Sequence, residues 1–163
     1  MICSSDKPRS GIYVDVQNVY YTTRQIYNRQ FNYRALWEYL AKTTDISVAT
    51  AYAIDRGISD QRKFQSALRH IGFEVKLKPY ISRSDGSSKG DWDVGIAIDI
   101  IKNAPDLDSI VLLSGDGDFE LLVNYVRDAS NVVVDIYGVS ALTASSLKHS
   151  ADRFHPIDET FLL

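Results

Sequence analysis

Short apolar runs and amphipathic segments alternate five times along this 163-residue chain, and that alternation constrains the fold more than any other feature of the sequence. "GIYVDVQN" (11–18), "ISVATAYAI" (46–54), "FEVKLKPY" (73–80), "SIVLLS" (109–114) and "NVVVDIYG" (131–138) read as strands, rich in β-branched and aromatic residues. Helical spacing fills the intervals. Leu36, Tyr39 and Leu40 follow a candidate N-cap at Asn32, and Phe64, Ala67, Leu68 and Ile71 precede a stop at Gly72. Ile96, Ala97, Ile100 and Ile101 share one side of the next segment, and Leu121, Leu122, Tyr125 and Val126 are expected to face inward on the one after. A last helix is expected in 140–151, capped by Ser140, and "RFHPI" can add only an edge strand because proline cannot donate to two neighbours. Strands alternating with helices require a parallel sheet with right-handed crossovers and helices on both faces. The expected fold is therefore α/β: a three-layer α/β/α sandwich around five to six parallel strands. A flexible N-terminus (1–10) would precede a single domain (11–163).

In such sheets ligands bind beyond the carboxyl ends of the strands, at the switch point of the strand order. The first strand ends in Asp15, with Asn18 three residues on. The fourth ends in "SGDGD", carrying Ser114, Asp116 and Asp118, and Asp93 opens the helix that leads into it. If the first and fourth strands are neighbours, these groups converge. Each has a local explanation too, since Asp, Asn and Ser cap helices and acids favour helix N-termini. Several carboxylates a few ångströms apart stay ionised together only when a cation balances them. With no histidine or cysteine nearby, the donor set is all oxygen, which selects Mg²⁺ or Mn²⁺. Gly115 and Gly117 would let the backbone turn sharply and a phosphate come close.

Charge is unevenly spread. Residues 56–89 hold eight basic and three acidic side chains, net +5; residues 91–128 hold nine acidic and two basic, net −7. Two solvated faces would give this pattern, and so would a basic flank guiding a polyanion towards an acidic centre. "SRSDGSSKGD" (82–91) reads as a flexible loop whose Arg83 and Lys89 could meet a nucleic-acid backbone. Tyr20, Tyr21, Tyr80 and Trp92 could stack on unpaired bases, although packing is the preferred role for each. His149 and His155 are six apart, which fits neither helical ligand spacing, and are read as surface residues.

Other acidic-site folds fit poorly. A haloacid-dehalogenase-like phosphatase needs D-x-D after its first strand, and this chain has "DVQN". A response-regulator receiver needs an acid at the end of its third strand, where "KPYISR" has none. An integrin-type metal site needs D-x-S-x-S. No G-x-G-x-x-G or P-loop is present, so no nucleotide cofactor is expected. Cys3 is the only cysteine, which rules out an intrachain disulfide and fits a reducing compartment. The N-terminal residues lack a signal-peptide apolar run, and no segment approaches the ~20 apolar residues of a membrane helix, so a cytoplasmic location without membrane contact is expected.

Taken together, "VDVQN", "KGDWDVGIAID", "VLLSGDGDF" and "SSLKHSADRF" resemble the NYN domain of the LabA-like branch of the PIN-like nuclease superfamily, over roughly Gly11 to Ile157. The resemblance implies a metal-dependent endoribonuclease, with RNA, single-stranded by preference, as partner. Asp15, Asp93, Asp116 and Asp118 match the family's acids as catalytic metal ligands for Mg²⁺ or Mn²⁺, and Asn18 and Ser114 match its polar positions. Asn18, Ser114, Lys89 and Arg83 would then contact substrate. The family's KG-x-D spacing is one residue longer here, KG-D-W-D; Asp93 rather than Asp91 keeps the following "DVGIAID" in register. The alternative implied by the same resemblance is a regulatory or RNA-binding adaptor that cleaves little, and a homo-oligomer is compatible with either.

Overall fold

The computed structural model describes residues 7–55, 57, 59–79, 81–82, 88–89 and 92–163. Six strands form one sheet: β1 (Arg9–Asp15), β2 (Asp45–Asp55), β3 (Glu74–Pro79), β6 (Ser109–Leu113), β7 (Val133–Gly138) and β8 (Arg153–Pro156). Their spatial order is β3-β2-β1-β6-β7-β8, and every pair is parallel. Two short segments, β4 (Ile81–Ser82) and β5 (Ser88–Lys89), pair antiparallel as a separate hairpin. The helices are α1 (Val16–Tyr27), α2 (Tyr33–Ala41), α3 (Ser59–Ile71), α4 (Asp93–Asn103), α5 (Glu120–Ser130) and α6 (Ser145–Ser150).

The chain builds outward from β1 to the β3 edge, then returns to lay β6 against the other side of β1. The order reverses between β1 and β6, so the switch point lies at Asp15 and Ser114. Period-two alternation sorts these central strands onto two cores. Ile12, Val14, Val111 and Leu113 join α1, α2 and α3 through Val19, Leu36, Leu40 and Leu68. Tyr13, Ile110 and Leu112 join α4, α5 and α6 through Ile96, Ile100, Val123, Val126 and Leu147. Both faces of β6 are buried, which is why its sequence reads as an unbroken apolar run. Asn32 caps α2, its side chain accepting from the Ala35 amide at 3.1 Å. Gly72 ends α3 at φ 135°, a backbone conformation that favours glycine, and β8 is an edge strand carrying Pro156.

Three expectations fail locally. Ser140 does not start the last helix. Ser140–Leu142 is an isolated 3₁₀ turn, and α6 begins at Ser145 after an Ala144 that offers no side-chain cap. The inward set is Phe119, just before α5, with Leu122, Val123 and Val126 within it, while Leu121 is 80% exposed and Tyr125 55%. The 3₁₀ turn at Gly117–Phe119 swings Phe119 into the core and sets the phase of the helix behind it. Ile101 of α4 is likewise exposed. This phase has a measurable consequence. Leu122→Ala is expected to cost ~2–5 kcal/mol in urea unfolding, and Leu121→Ala less than ~0.5 kcal/mol; equal costs would return Leu121 to the core.

Candidate metal centre

The β1 and β6 ends are tied by a continuous run of hydrogen bonds. Asp15 is the N-cap of α1 and accepts from the Asn18 amide at 3.4 Å. Its other carboxylate oxygen accepts from Ser114 Oγ at 3.2 Å. Ser114 Oγ in turn accepts from the Asp116 amide at 3.2 Å, and Asn18 Oδ1 accepts from the Gly115 amide at 2.9 Å. Asp116 Oδ1 caps the next turn by accepting from the Asp118 amide at 2.9 Å. The N-terminus of α1 therefore sets the path of the loop after β6, and that loop aims the two aspartates.

Asp93 reaches the same place from α4. It is the first residue of that helix, and its neighbour Trp92 fixes the helix start. The indole of Trp92 donates to the Ala53 carbonyl at 2.8 Å and lies against Tyr52, ring centroids 5.3 Å apart. Lys78 covers the indole, its Nζ 4.6 Å from a ring centroid. Gly95 makes room for the indole, because a Cβ there would sit 2.6 Å from the ring. One turn on, Asp99 accepts from Tyr52 and Lys76, both at 2.8 Å. Burial acts to raise the Asp99 carboxyl, but these bonds and the Lys76 charge outweigh it and hold it below the usual carboxylate range. Burial and the Asp99 bond push the Tyr52 phenol far up, so it stays a donor.

Asp93, Asp116 and Asp118 each present a carboxylate oxygen, and the three atoms lie within 4.8 Å of one another. Asp93 and Asp116 are half-buried and Asp118 is exposed. Three hard oxygen donors at this spacing, carrying three formal negative charges, suit a hard divalent cation. Asp15 is not one of the three; it is buried, and its carboxylate accepts from Ser114. Ser114 is fully buried with its hydroxyl engaged on both sides, so it supports the loop and has no face left for a phosphate. Asn18 spends its side-chain oxygen on the Gly115 amide.

The remaining sequence candidates fall elsewhere. Arg83 and Asp91 lie outside the described residues, as do Tyr80 and the side chain of Lys89, whose backbone pairs with Ile81 in the β4–β5 hairpin. Trp92 packs rather than waits for a base. His149 is exposed, whereas His155 lies 2.9 Å from Asp135 and stacks on Tyr137 at 4.4 Å, far along the sheet on β8. The glycines of "SGDGD" serve a purpose other than admitting phosphate. A Cβ on Gly115 would meet the Leu142 carbonyl at 2.8 Å, and one on Gly117 would meet Ala144 Cβ at 2.9 Å. They let the 142–144 segment close against the loop, where the Ala144 amide donates to the Gly115 carbonyl at 3.1 Å. Sequence reasoning missed Thr143 and Ala144 as supports, because that contact joins segments with no shared local pattern.

The Trp92–Gly95 contact gives a direct test of how Asp93 is held. Gly95→Ala is expected to displace the indole and weaken Mn²⁺ binding about 10–100-fold by calorimetry, while a helix-favouring alanine keeps the fold. Unchanged Mn²⁺ affinity would mean that Trp92 does not position Asp93.

A parallel α/β sandwich with an acidic trio at its switch point places the molecule among strand-end acidic-site proteins. The chain belongs to the NYN domain family, whose profile matches residues 9–158, and so to the PIN-like nuclease superfamily. It is 29% identical over 159 residues to the "Low amplitude and bright protein LabA" of Synechococcus elongatus, covering 93% of this chain and 84% of that protein. It also superposes on the crystal structure of a protein of unknown function from Vibrio parahaemolyticus with a TM-score of 0.93 and 49% identity, covering 99% of this chain and 100% of that one. Among the described residues no helix is long and apolar enough to cross a membrane.

Proposed function

We propose that this protein is a divalent-metal-dependent ribonuclease that hydrolyses phosphodiester bonds in single-stranded RNA. The observation that carries the reading is the trio of carboxylate oxygens within 4.8 Å, placed where open α/β sheets bind ligands, in a chain of this superfamily. Asp93, Asp116 and Asp118 would hold Mg²⁺ or Mn²⁺. A bound divalent ion supplies Lewis acidity to a phosphoryl oxygen and lowers the pKa of water. The chain's own contribution is placement. Asp15 and Asn18 fix the loop after β6 through Ser114 and Gly115, and the Trp92 anchor fixes Asp93. The three acids thus meet without reorganising when substrate arrives. Asp15 acts in this scheme as a positioning residue, linked to the Asp116 backbone by two hydrogen bonds through Ser114.

The test is cleavage of a labelled single-stranded RNA at micromolar enzyme in Mn²⁺, in Mg²⁺ and in chelator. Products that form with either ion and vanish in chelator are expected. RNA bound equally well in chelator, with no product in either ion, would instead identify an RNA-binding adaptor.

A further inference from the structure

The stretch from Val16 to Trp37 contains no aspartate or glutamate and three arginines, in a chain whose net charge is −3. Most of it is α1, which starts at the capping Asp15 beside the acidic trio and runs away from it down one face of the sheet. The inner side of α1 is spent on the core through Val16 and Val19. The outer side keeps two tyrosines in water, Tyr20 at 45% and Tyr21 at 49% exposure, ring centroids 5.4 Å apart in an edge arrangement. One turn beyond Tyr20, Arg24 donates to its hydroxyl at 2.7 Å and lies over its ring at 5.7 Å. Tyr20, Arg24, Asn28, Arg29, Gln30 and Leu163 then line a groove of about 360 Å³. Among the described residues neither Arg24 nor Arg29 pairs with an Asp or Glu side chain. Arg29 donates from Nε and Nη2 to the Leu163 and Leu162 oxygens, which fixes its guanidinium in the groove wall.

We infer that this outer face of α1, from Tyr20 to Arg29, is a binding track for single-stranded RNA leading away from the acidic centre; the inference rests on the ribonuclease reading above. Aromatic faces flanked by guanidinium groups with no Asp or Glu partner among the described residues suit unpaired nucleic acid, because bases stack and phosphates need charge. A duplex hides its base faces, so it gains nothing from Tyr20 and Tyr21. The distance also suits a strand: Asp15 to Arg24 is about 13 Å along a helix at ~1.5 Å per residue, which is about four stacked nucleotides at ~3.4 Å each. The C-terminal carbonyls of α1 disfavour anions. That penalty is offset by Arg24 and Arg29 and reduced where the Asn28 amide, in a left-handed conformation, donates to the Arg24 carbonyl.

The experiment measures binding of a labelled 12-nucleotide oligouridine and of an RNA duplex of equal length by fluorescence anisotropy, in chelator, with the full chain. The variants are Tyr20→Ala/Tyr21→Ala and Arg24→Ala/Arg29→Ala. All four positions are exposed helix or helix-end sites that accept alanine. Each pair is expected to weaken oligouridine binding at least ~10-fold; the tyrosine pair should leave duplex binding within about 2-fold, whereas the arginine pair should weaken it too, because duplex phosphates also need charge. The arginine pair should also flatten the log K against log salt slope by about 1.4, at ~0.7 per lost phosphate contact. Both variants should keep the wild-type Mn²⁺ melting shift, which separates the track from the acidic centre. Wild-type binding in both variants, with cleavage intact, would overturn the track and leave the ribonuclease reading standing. A wild-type protein that neither binds nor cuts the oligonucleotide would overturn both.

Discussion

Asp116→Asn is expected to cut Mn²⁺-dependent cleavage of single-stranded RNA at least ~100-fold while leaving the protein folded. The substitution separates charge from shape. Asp116 caps the turn at Gly117–Phe119 by accepting from the Asp118 amide, and asparagine caps such turns about as well as aspartate. The bond from Ser114 to the Asp116 backbone amide is untouched. What disappears is one of three negative charges from a cluster 4.8 Å across. Hard cations need that charge, so affinity and activity fall together. In chelator the sign reverses: three crowded carboxylates repel, and neutralising one relieves the repulsion. The variant's melting point without metal should therefore equal or slightly exceed the wild-type value. Asp108→Asn is the control. Asp108 sits at the opposite end of the sheet, beside Arg9, and its loss should leave cleavage within about 2-fold. A fully active Asp116→Asn protein would remove the acidic trio from the mechanism.

The strand order and the place of the site follow from periodicity and one topological rule. "SIVLLS" is apolar on both faces because β6 is central, and centrality puts its end beside the end of β1. That was enough to bring Asp15, Asp93, Asp116 and Asp118 to one rim of the sheet. It was not enough to divide their duties. Whether Asp15 faces the centre or the loop depends on where Ser114 Oγ points, and side-chain direction at a strand end has no periodic signature. The glycines of "SGDGD" were open to misreading for a related reason. Each meets a neighbour 27 residues on in the sequence, Gly115 with Leu142 and Gly117 with Ala144. Only the folded loop shows that a Cβ would strike protein there. Helix phase failed in α5 because two stripes with helical spacing compete there, 121/122/125/126 and 119/122/123/126, and the buried one is the second. Trp92 was correctly expected to pack. The opposite outcome at Tyr20 and Tyr21 could not be read from α1 alone, since which face of a helix is covered depends on the sheet beneath it.

Mn²⁺ is expected to raise the melting temperature of the wild-type protein by roughly 5–10 °C at a hundred times its dissociation constant. Ligand binding to the native state alone contributes ~2.7 kcal/mol at that excess, and a chain of this size gains ~2–4 °C per kcal/mol. The unfolded chain cannot hold Asp93 against Asp116 and Asp118, which lie more than twenty residues apart in sequence, so its competing affinity is small. The shift should vanish in Asp93→Asn and Asp116→Asn. In Asp15→Asn it should shrink without vanishing, because a residue that acts through Ser114 costs ~10–100-fold in metal affinity rather than a ligand outright. An Asp15→Asn protein as insensitive to Mn²⁺ as Asp93→Asn would place Asp15 in contact with the ion. It would require the β1 end to move towards the trio on binding, breaking the Ser114 bond that now holds it back.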